Sequence, residues 1–376
     1  MILFIIILIF IFKYLFLKTN KKHKFWDKQP VSRKYINNEG IISTNPIFNI
    51  ILKNNMFFKD IDITLSKNLL LIYNFINNNY NESYIYSINF LKETLLYLDN
   101  NESNNIGLFN ENNEIIGFIH CKPINLFIKS KIQKFYYTDF LCVHKLYRNN
   151  NLAVILISKL ITLHNRYQPF IFKKDIKMLP FNYINKSSYY YYQITNNKFI
   201  HIKNNIIFAN KHNILDVYNF INKICKNKKI YQYLTFNEFK KLYINSSKKI
   251  IIEYDINNEI IGIITFVNFY MRSNKTNFFE NYLSIKKKYK LETSFFHTID
   301  IENIYIYNNK NYELFYFLIN YSIKNNIKII SCIDQSLSYY FINQNNMKKS
   351  MNIYFHAYNY HINNIIDKND IIFNFL

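Results

Sequence analysis

The chain repeats itself, and the repeat constrains its fold more than any other feature. Tyr73-Asn74-Phe75-Ile76-Asn77 returns as Tyr218-Asn219-Phe220-Ile221-Asn222, and Asn112-Asn113-Glu114-Ile115-Ile116-Gly117 returns as Asn257-Asn258-Glu259-Ile260-Ile261-Gly262. Asn and Ile are abundant enough here for either match alone to arise by chance. Both copies, however, lie 145 residues after their originals, since 218 minus 73 and 257 minus 112 give the same difference. A shared offset marks the duplication of a whole structural unit. Around each match the pattern is the same: an amphipathic helical stretch, a strand, a turn at Asn-Asn-Glu and a second strand that carries glycine.

The predicted hairpins join Ile106 to Phe109 with Ile115 to Cys121, and Ile250 to Tyr254 with Ile260 to Phe266. Gly117 and Gly262, two of only four glycines, hold equivalent strand positions, where a missing side chain predicts a bulge or a close backbone approach. A further strand follows in each half, over Phe135 to His144 and Ile304 to Tyr307, and then a helix, over Leu152 to His164 and Tyr312 to Lys324. Helix, antiparallel hairpin, strand and helix is the order of the GCN5-related acetyltransferase fold. The expected class is therefore α/β, with tandem duplicated GCN5-related (GNAT-like) acyltransferase units forming one pseudo-symmetric body, divided at 23–205 and 206–376.

A chain of 376 residues can bury a core large enough for an enzyme. Its formal charge of +22, from 47 Lys+Arg against 25 Asp+Glu, raises nucleic acid, an anionic membrane or a polyanionic ligand such as CoA. The lysines are scattered among Asn, Ile, Phe and Tyr, as expected of an AT-rich coding sequence, and no strand carries an RNA-binding aromatic motif, so nucleic acid is not an expected partner. Cys121, Cys142, Cys225 and Cys332 form no pair at metal-ligand spacing, and the histidines, His144 and His164 among them, form no HExxH. The expectation is a reduced protein with no metal and no permanently bound cofactor.

The first 22 residues differ in kind from the rest. Ile2 to Phe12 are unbroken apolar side chains, Lys13 interrupts, Tyr14-Leu15-Phe16-Leu17 resumes, and Lys18, Lys21, Lys22 and Lys24 follow. No small-residue cleavage site appears, so the segment reads as a membrane anchor at the short end of a span. The lysines place the body on the cytoplasmic face as a single-pass protein. The alternative is a cytoplasmic protein on which the segment docks, or one whose helix lies in the membrane interface.

One phosphate-binding turn stands out. Arg148-Asn149-Asn150-Asn151-Leu152-Ala153, between strand and helix of the first half, resembles the Arg/Gln-x-x-Gly-x-Gly/Ala turn with which such folds hold CoA. Backbone N–H groups must converge on a pyrophosphate at a helix N-terminus, and asparagine tolerates the left-handed conformation this requires. The second half offers Asn308-Asn309-Lys310-Asn311, without the arginine or the alanine, so one CoA site per chain is expected.

Two segments then resemble the N-myristoyltransferase family. His23-Lys24-Phe25-Trp26-Asp27-Lys28-Gln29-Pro30-Val31 is similar to the family's Tyr-x-Phe-Trp-x-Thr-Gln-Pro-Val. Phe140-Leu141-Cys142-Val143-His144-Lys145 is similar to the end of its Glu-Ile-Asn-Phe-Leu-Cys-Val-His-Lys, with Arg148 and Leu152-Ala153 at the right distance. The resemblance implies transfer of a myristoyl group from myristoyl-CoA, a substrate rather than a cofactor, to proteins or peptides with an N-terminal glycine. It implies that Lys24, Phe25 and Trp26 line the mouth of the acyl-CoA site. The amides of Phe140 and Leu141 would form an oxyanion hole, with Cys142 and Val143 continuing along the CoA. Arg148, Asn149, Asn151, Leu152 and Ala153 would cover the phosphates. The α-carboxylate of Leu376, after an apolar tail, would act as base.

The departures from the family lie in the peptide half. Asp139 stands among the catalytic residues where the family has asparagine. Lys174 falls near a threonine of the peptide site, and the Gly-x-Gly-Asp-Gly turn becomes Lys348-Lys349-Ser350-Met351-Asn352. Asn151 replaces a basic residue, and the acids that hold a peptide are thinned to Glu82, near Tyr80. Two functions follow as expectations: an active glycylpeptide acyltransferase, or a catalytically weak protein that holds acyl-CoA or peptide on the same fold. A lysine or small-molecule acetyltransferase fits the fold, but the Phe25-Trp26 segment and the apolar tail argue against it.

Overall fold

The computed structural model describes residues 25–373 except 44–51, 53–54, 81–83, 97, 99–101, 165–166, 176–177, 196–197, 245, 273–294, 307–312 and 336–337. The expected anchor, Lys24, Glu82 and Leu376 lie outside the described residues.

The duplication is written into the buried faces of two helices. Ser66–Asn79 buries Leu69, Ile72, Phe75 and Ile76, and Ile214–Cys225 buries Ile214, Val217, Phe220 and Ile221. Each member of the second set stands 145 positions after its counterpart, at the spacing that keeps one helical face toward a core. The hairpins repeat as closely. Asn104–Phe109 pairs with Ile115–Ile128, and Lys248–Tyr254 with Ile260–Arg272. Their turns close through the Asn110 N–H on the Glu114 carbonyl and the Asp255 N–H on that of Glu259, with Asn113 and Asn258 both left-handed at φ 60°. Each ladder then slips by one residue beside its glycine: Leu108 faces Gly117 but Phe109 faces Ile115, and Glu253 faces Gly262 but Tyr254 faces Ile260.

The halves are interlocked rather than merely adjacent. The described strands make one 15-stranded sheet beside a two-stranded one. Asn185–Gln193, from the first half, pairs with Ile327–Ile333 of the second. Lys348–Tyr358, from the second, lies between Phe170–Asp175 and Asn185–Gln193. A smaller exchange is also reciprocal: Tyr84–Ile85 pairs with Tyr270 and Met271, and Ile230–Tyr233 with Asn125 to Ile128. Pro123 shows why the Ile115–Ile128 strand can serve two neighbours on one edge. Asn104–Phe109 leaves at Cys121 and Ile230–Tyr233 joins at Asn125, so the residue without an N–H sits in the gap between them.

One strand begins earlier than expected. Phe295–Ile306 extends well before Ile304, although Asp300 and Glu302 interrupt its apolar run. Both are buried, and Glu302 is satisfied by a short ion pair with Lys248 and by the Tyr243 hydroxyl. A paired buried carboxylate is tolerated where an isolated one is not.

Candidate active site

The site lies where one strand parts from its neighbour. Lys131–Val143 runs parallel to Phe170–Asp175, but their ladder covers only Tyr136, Tyr137 and Thr138. On the other edge the antiparallel ladder slips at the next residues. Phe118 faces Cys142 and His120 faces Asp139, so Phe140 and Leu141 together oppose the single residue Ile119. Such a bulge takes a backbone amide out of the ladder and leaves it for other use. Phe140 occupies it at φ 50°, a left-handed conformation that costs a non-glycine residue about 1–2 kcal/mol. Its buried ring is held between Tyr80 and Tyr86, each 5.3 Å away between centroids.

A cleft of about 60 Å³ opens at the bulge, and Asp139, Phe140, Lys173, Asp175 and Asp300 are among the residues that line it. Asp139 Oδ1 accepts the Phe140 N–H at 2.7 Å and the Tyr80 hydroxyl at 3.1 Å, while the Tyr137 hydroxyl makes a long contact of 3.5 Å to Oδ2. Burial, and after it the Asp139 carboxylate, hold both tyrosines well above the ordinary phenol range, so both remain donors. Asp300, also in the lining, accepts the Ser331 hydroxyl at 2.8 Å and that of Tyr189 at 3.2 Å. Burial pushes its carboxyl up to about 6. Paired across the ladder with Asp139 and Tyr137, His120 and Lys122 are buried; burial brings the imidazole down to about 3 and the ammonium to about 7. Three carboxylates and one ammonium thus line a cleft in a chain of charge +22.

Tyr80 is brought to this cleft, whereas Lys174 is not. Side chains alternate along a strand, so Lys173 and Asp175 line the cleft and Lys174 is exposed. Sequence reasoning passed over Lys173, Asp175, Tyr189 and Asp300. The available signal was acid and base recurring every second residue in strands otherwise apolar.

The turn expected to hold phosphates leads into a helix whose Leu152 belongs to the apolar cluster on which Leu141 of the bulge packs. Asn149 and Asn151 are left-handed, at φ 68° and 60°, and the helix Leu152–Leu163 begins with no side-chain cap on its first amides. Arg148 serves the turn's position: its Nη2 donates to the Asn79 carbonyl at 2.6 Å and its Nε to that of Val143 at 3.3 Å. Trp26 is buried in the same apolar cluster as Leu152 and Leu156, with Phe25, Leu141 and Val143 packed against it. Ala153 lies in the helix's first turn. Cys142 is buried and burial pushes its thiol up to about 12, which leaves it without nucleophilic thiolate. His144 accepts the Leu146 N–H through Nδ1, and His164 lies 3.0 Å from Asn104 Nδ2, both local structural roles.

The far end of the chain enters the same region. Ile371–Ile372 pairs in parallel with Ile230 and Tyr231. The buried Phe373 donates its N–H to Gln335 at 3.4 Å, and its carbonyl accepts from Asn303 Nδ2 at 3.3 Å. It shares an apolar cluster with Tyr137 and Tyr189, the tyrosines that touch Asp139 and Asp300.

Comparison with known proteins sets this geometry in context. Residues 36–173 match the family model of the myristoyl-CoA:protein N-myristoyltransferase N-terminal domain. A putative glycylpeptide N-tetradecanoyltransferase of Amsacta moorei entomopoxvirus is 27% identical over 312 residues, which are 76% of this chain and 97% of the relative. The glycylpeptide N-tetradecanoyltransferase of Plasmodium falciparum is 31% identical over 157 residues, and the match spans 38% of its length. In fold the chain is similar to Saccharomyces cerevisiae N-myristoyltransferase crystallised with bound myristoyl-CoA. The TM-score is 0.78 at 15% identity, over 92% of this chain and 94% of that one.

Proposed function

We propose that this chain is a member of the N-myristoyltransferase family and that it moves a tetradecanoyl group from its CoA thioester to the amine of an N-terminal glycine on a protein or peptide. The observation that carries the proposal is the bulge at Phe140 and Leu141: Phe140 lines the cleft, while Leu141 packs on the apolar cluster that holds Leu152 at an uncapped helix N-terminus. Attack on a thioester gathers negative charge on the carbonyl oxygen. Backbone donors fixed at that point, here the amides of Phe140 and Leu141, are worth roughly 10²–10³ in rate each. The turn Arg148 to Asn151 and the first amides of Leu152–Leu163 take the CoA phosphates, because a helix N-terminus offers oriented N–H groups and a positive dipole end. Phe25 and Trp26 cover the mouth of the site from the cluster they share with that helix.

The amine must lose a proton before it attacks, because an α-amino group has a pKa of roughly 7.7–8.0. The α-carboxylate of Leu376 is one acceptor. From Phe373, three extended residues reach at most about 10 Å, and Phe373 already packs in the cluster that backs the cleft. The first half, 23–205, carries the acyl donor and the second, 206–376, supplies much of the peptide wall. Residues 1–22 attach the body to a membrane, an assignment that fails if the chain lacking residues 1–17 remains membrane-bound. Among the described residues no helix is long and apolar enough to cross one.

The test is acyl transfer by the full chain, using labelled myristoyl-CoA and peptides that start in Gly or in Ala. Product is expected with glycine peptides alone. Binding of myristoyl-CoA with no product at stoichiometric protein overturns the proposal. That outcome would favour a catalytically weak binding protein, a reading for which one observation speaks: the Phe140 amide is occupied by the Asp139 carboxylate.

A further inference from the structure

Asp139 lies where two requirements of the reaction meet. Its Oδ1 is 2.7 Å from the Phe140 amide nitrogen, the distance at which a thioester oxygen would accept the same N–H. The carboxylate thus occupies the place that the acyl oxygen must take. As attack makes the acyl oxygen negative, it and the carboxylate would compete for one donor, so oxyanion stabilisation by this amide requires the carboxylate to turn away. The tyrosines at its other contacts, Tyr80 and Tyr137, remain beside it as donors. A displaced carboxylate one residue from the oxyanion donor is then next to the carbonyl carbon, which an attacking nitrogen approaches to about 3 Å.

We propose that Asp139 binds the amino-terminal ammonium of the acceptor and receives its proton, and that the same carboxylate exchanges with the acyl oxygen on the oxyanion donor. This rests on the acyl-transfer reading above. The surrounding charges are those a cation would meet. Asp175 and Asp300 line the cleft with Lys173, while His120 and Lys122 are buried on the neighbouring strand, paired with Asp139 and Tyr137. The atoms balance as follows. One ammonium proton passes to the Asp139 carboxylate, and the nitrogen lone pair forms the C–N bond. The C–S bond breaks with its electrons on the CoA sulfur, which takes the second proton from nitrogen as the amide forms. Asp139 then returns its proton to solvent.

The experiment compares the full-length wild-type chain with Asp139→Asn and Asp139→Ala. Each is loaded with a non-hydrolysable thioether analogue of myristoyl-CoA and titrated with a glycine peptide or with its glycolyl counterpart, in which a hydroxyl replaces the amine. Wild type is expected to prefer the amine by at least about tenfold, a difference of roughly 1.4 kcal/mol. Asp139→Asn should lose that preference while binding the thioether analogue no more weakly than wild type. In turnover, Asp139→Ala should fall by about 10²–10³, and added formate should restore part of the rate by supplying the missing carboxylate. An undiminished preference in Asp139→Asn, or loss of analogue binding in it, overturns the assignment. Wild type that binds the analogue but neither peptide overturns the acyl-transfer reading itself, and this assignment with it.

Discussion

Phe140 and Asp300 show how single residues of the cleft are held against local preference. A buried aromatic in left-handed conformation is strained, and strain of this kind persists only where surrounding structure over-determines it. Here Tyr80, Tyr86 and the bulge do so. Asp300 is a buried carboxyl whose proton is held more tightly in the folded chain, because burial outweighs the donors Ser331 and Tyr189 and the nearby Lys173. A folded value raised to about 6 from 3.8 contributes stability that is full below the lower value and lost as pH rises through the upper one. The shift corresponds to at most about 3 kcal/mol. Denaturant unfolding of Asp300→Asn and wild type between pH 4 and 7 measures it. Relative to the variant, wild type should lose stability up to about pH 6.5 and then level off, and parallel curves would remove Asp300 from the account.

At the scale of elements, the two hairpins show what glycine does here. Gly117 sits beside a bulge in the first hairpin, and a Cβ added there would meet Leu156 Cδ1 at 2.9 Å, on the helix that begins at the phosphate turn. That atom is the end of a flexible side chain, so Gly117→Ala should cost roughly 1 kcal/mol. It should also weaken CoA binding by shifting the helix. Gly107, which the repeat did not single out, is tighter: its added Cβ would meet Phe109 Cε2 at 2.6 Å and Ile61 Cδ1 at 2.7 Å. Gly107→Ala should cost about 1–3 kcal/mol, the larger loss of the two. Calorimetric melting of both variants checks the order; a more stable Gly107→Ala would contradict this packing. The helix Phe236–Tyr243 makes a complementary point, since its capping box, Thr235 with Glu238, fixes where the helix begins while none of its residues lines the cleft.

At the scale of the molecule, the reciprocal strand exchange makes one body of two copies, and the chain's tail is threaded into it through Gln335 and Asn303. A short tag after Leu376 should therefore abolish turnover while leaving myristoyl-CoA binding within about twofold. Unchanged turnover would release the terminus from any part in the chemistry. The duplication, the helix and hairpin order, the left-handed asparagines of the phosphate turn and the Phe140-Leu141 pair were all determined locally. They were legible because periodicity, turn chemistry and short motifs act over a few residues. The exchange of Asn185–Gln193 and Lys348–Tyr358, the inward turn of Lys173 and Asp175 beside an exposed Lys174, and the meeting of Asp139 with Asp300 in one cleft were decided only by tertiary structure. Each depends on which distant strand lies next to which, and a buried charge such as Asp300 reads as a surface residue until its partners Ser331 and Tyr189 arrive from far along the chain.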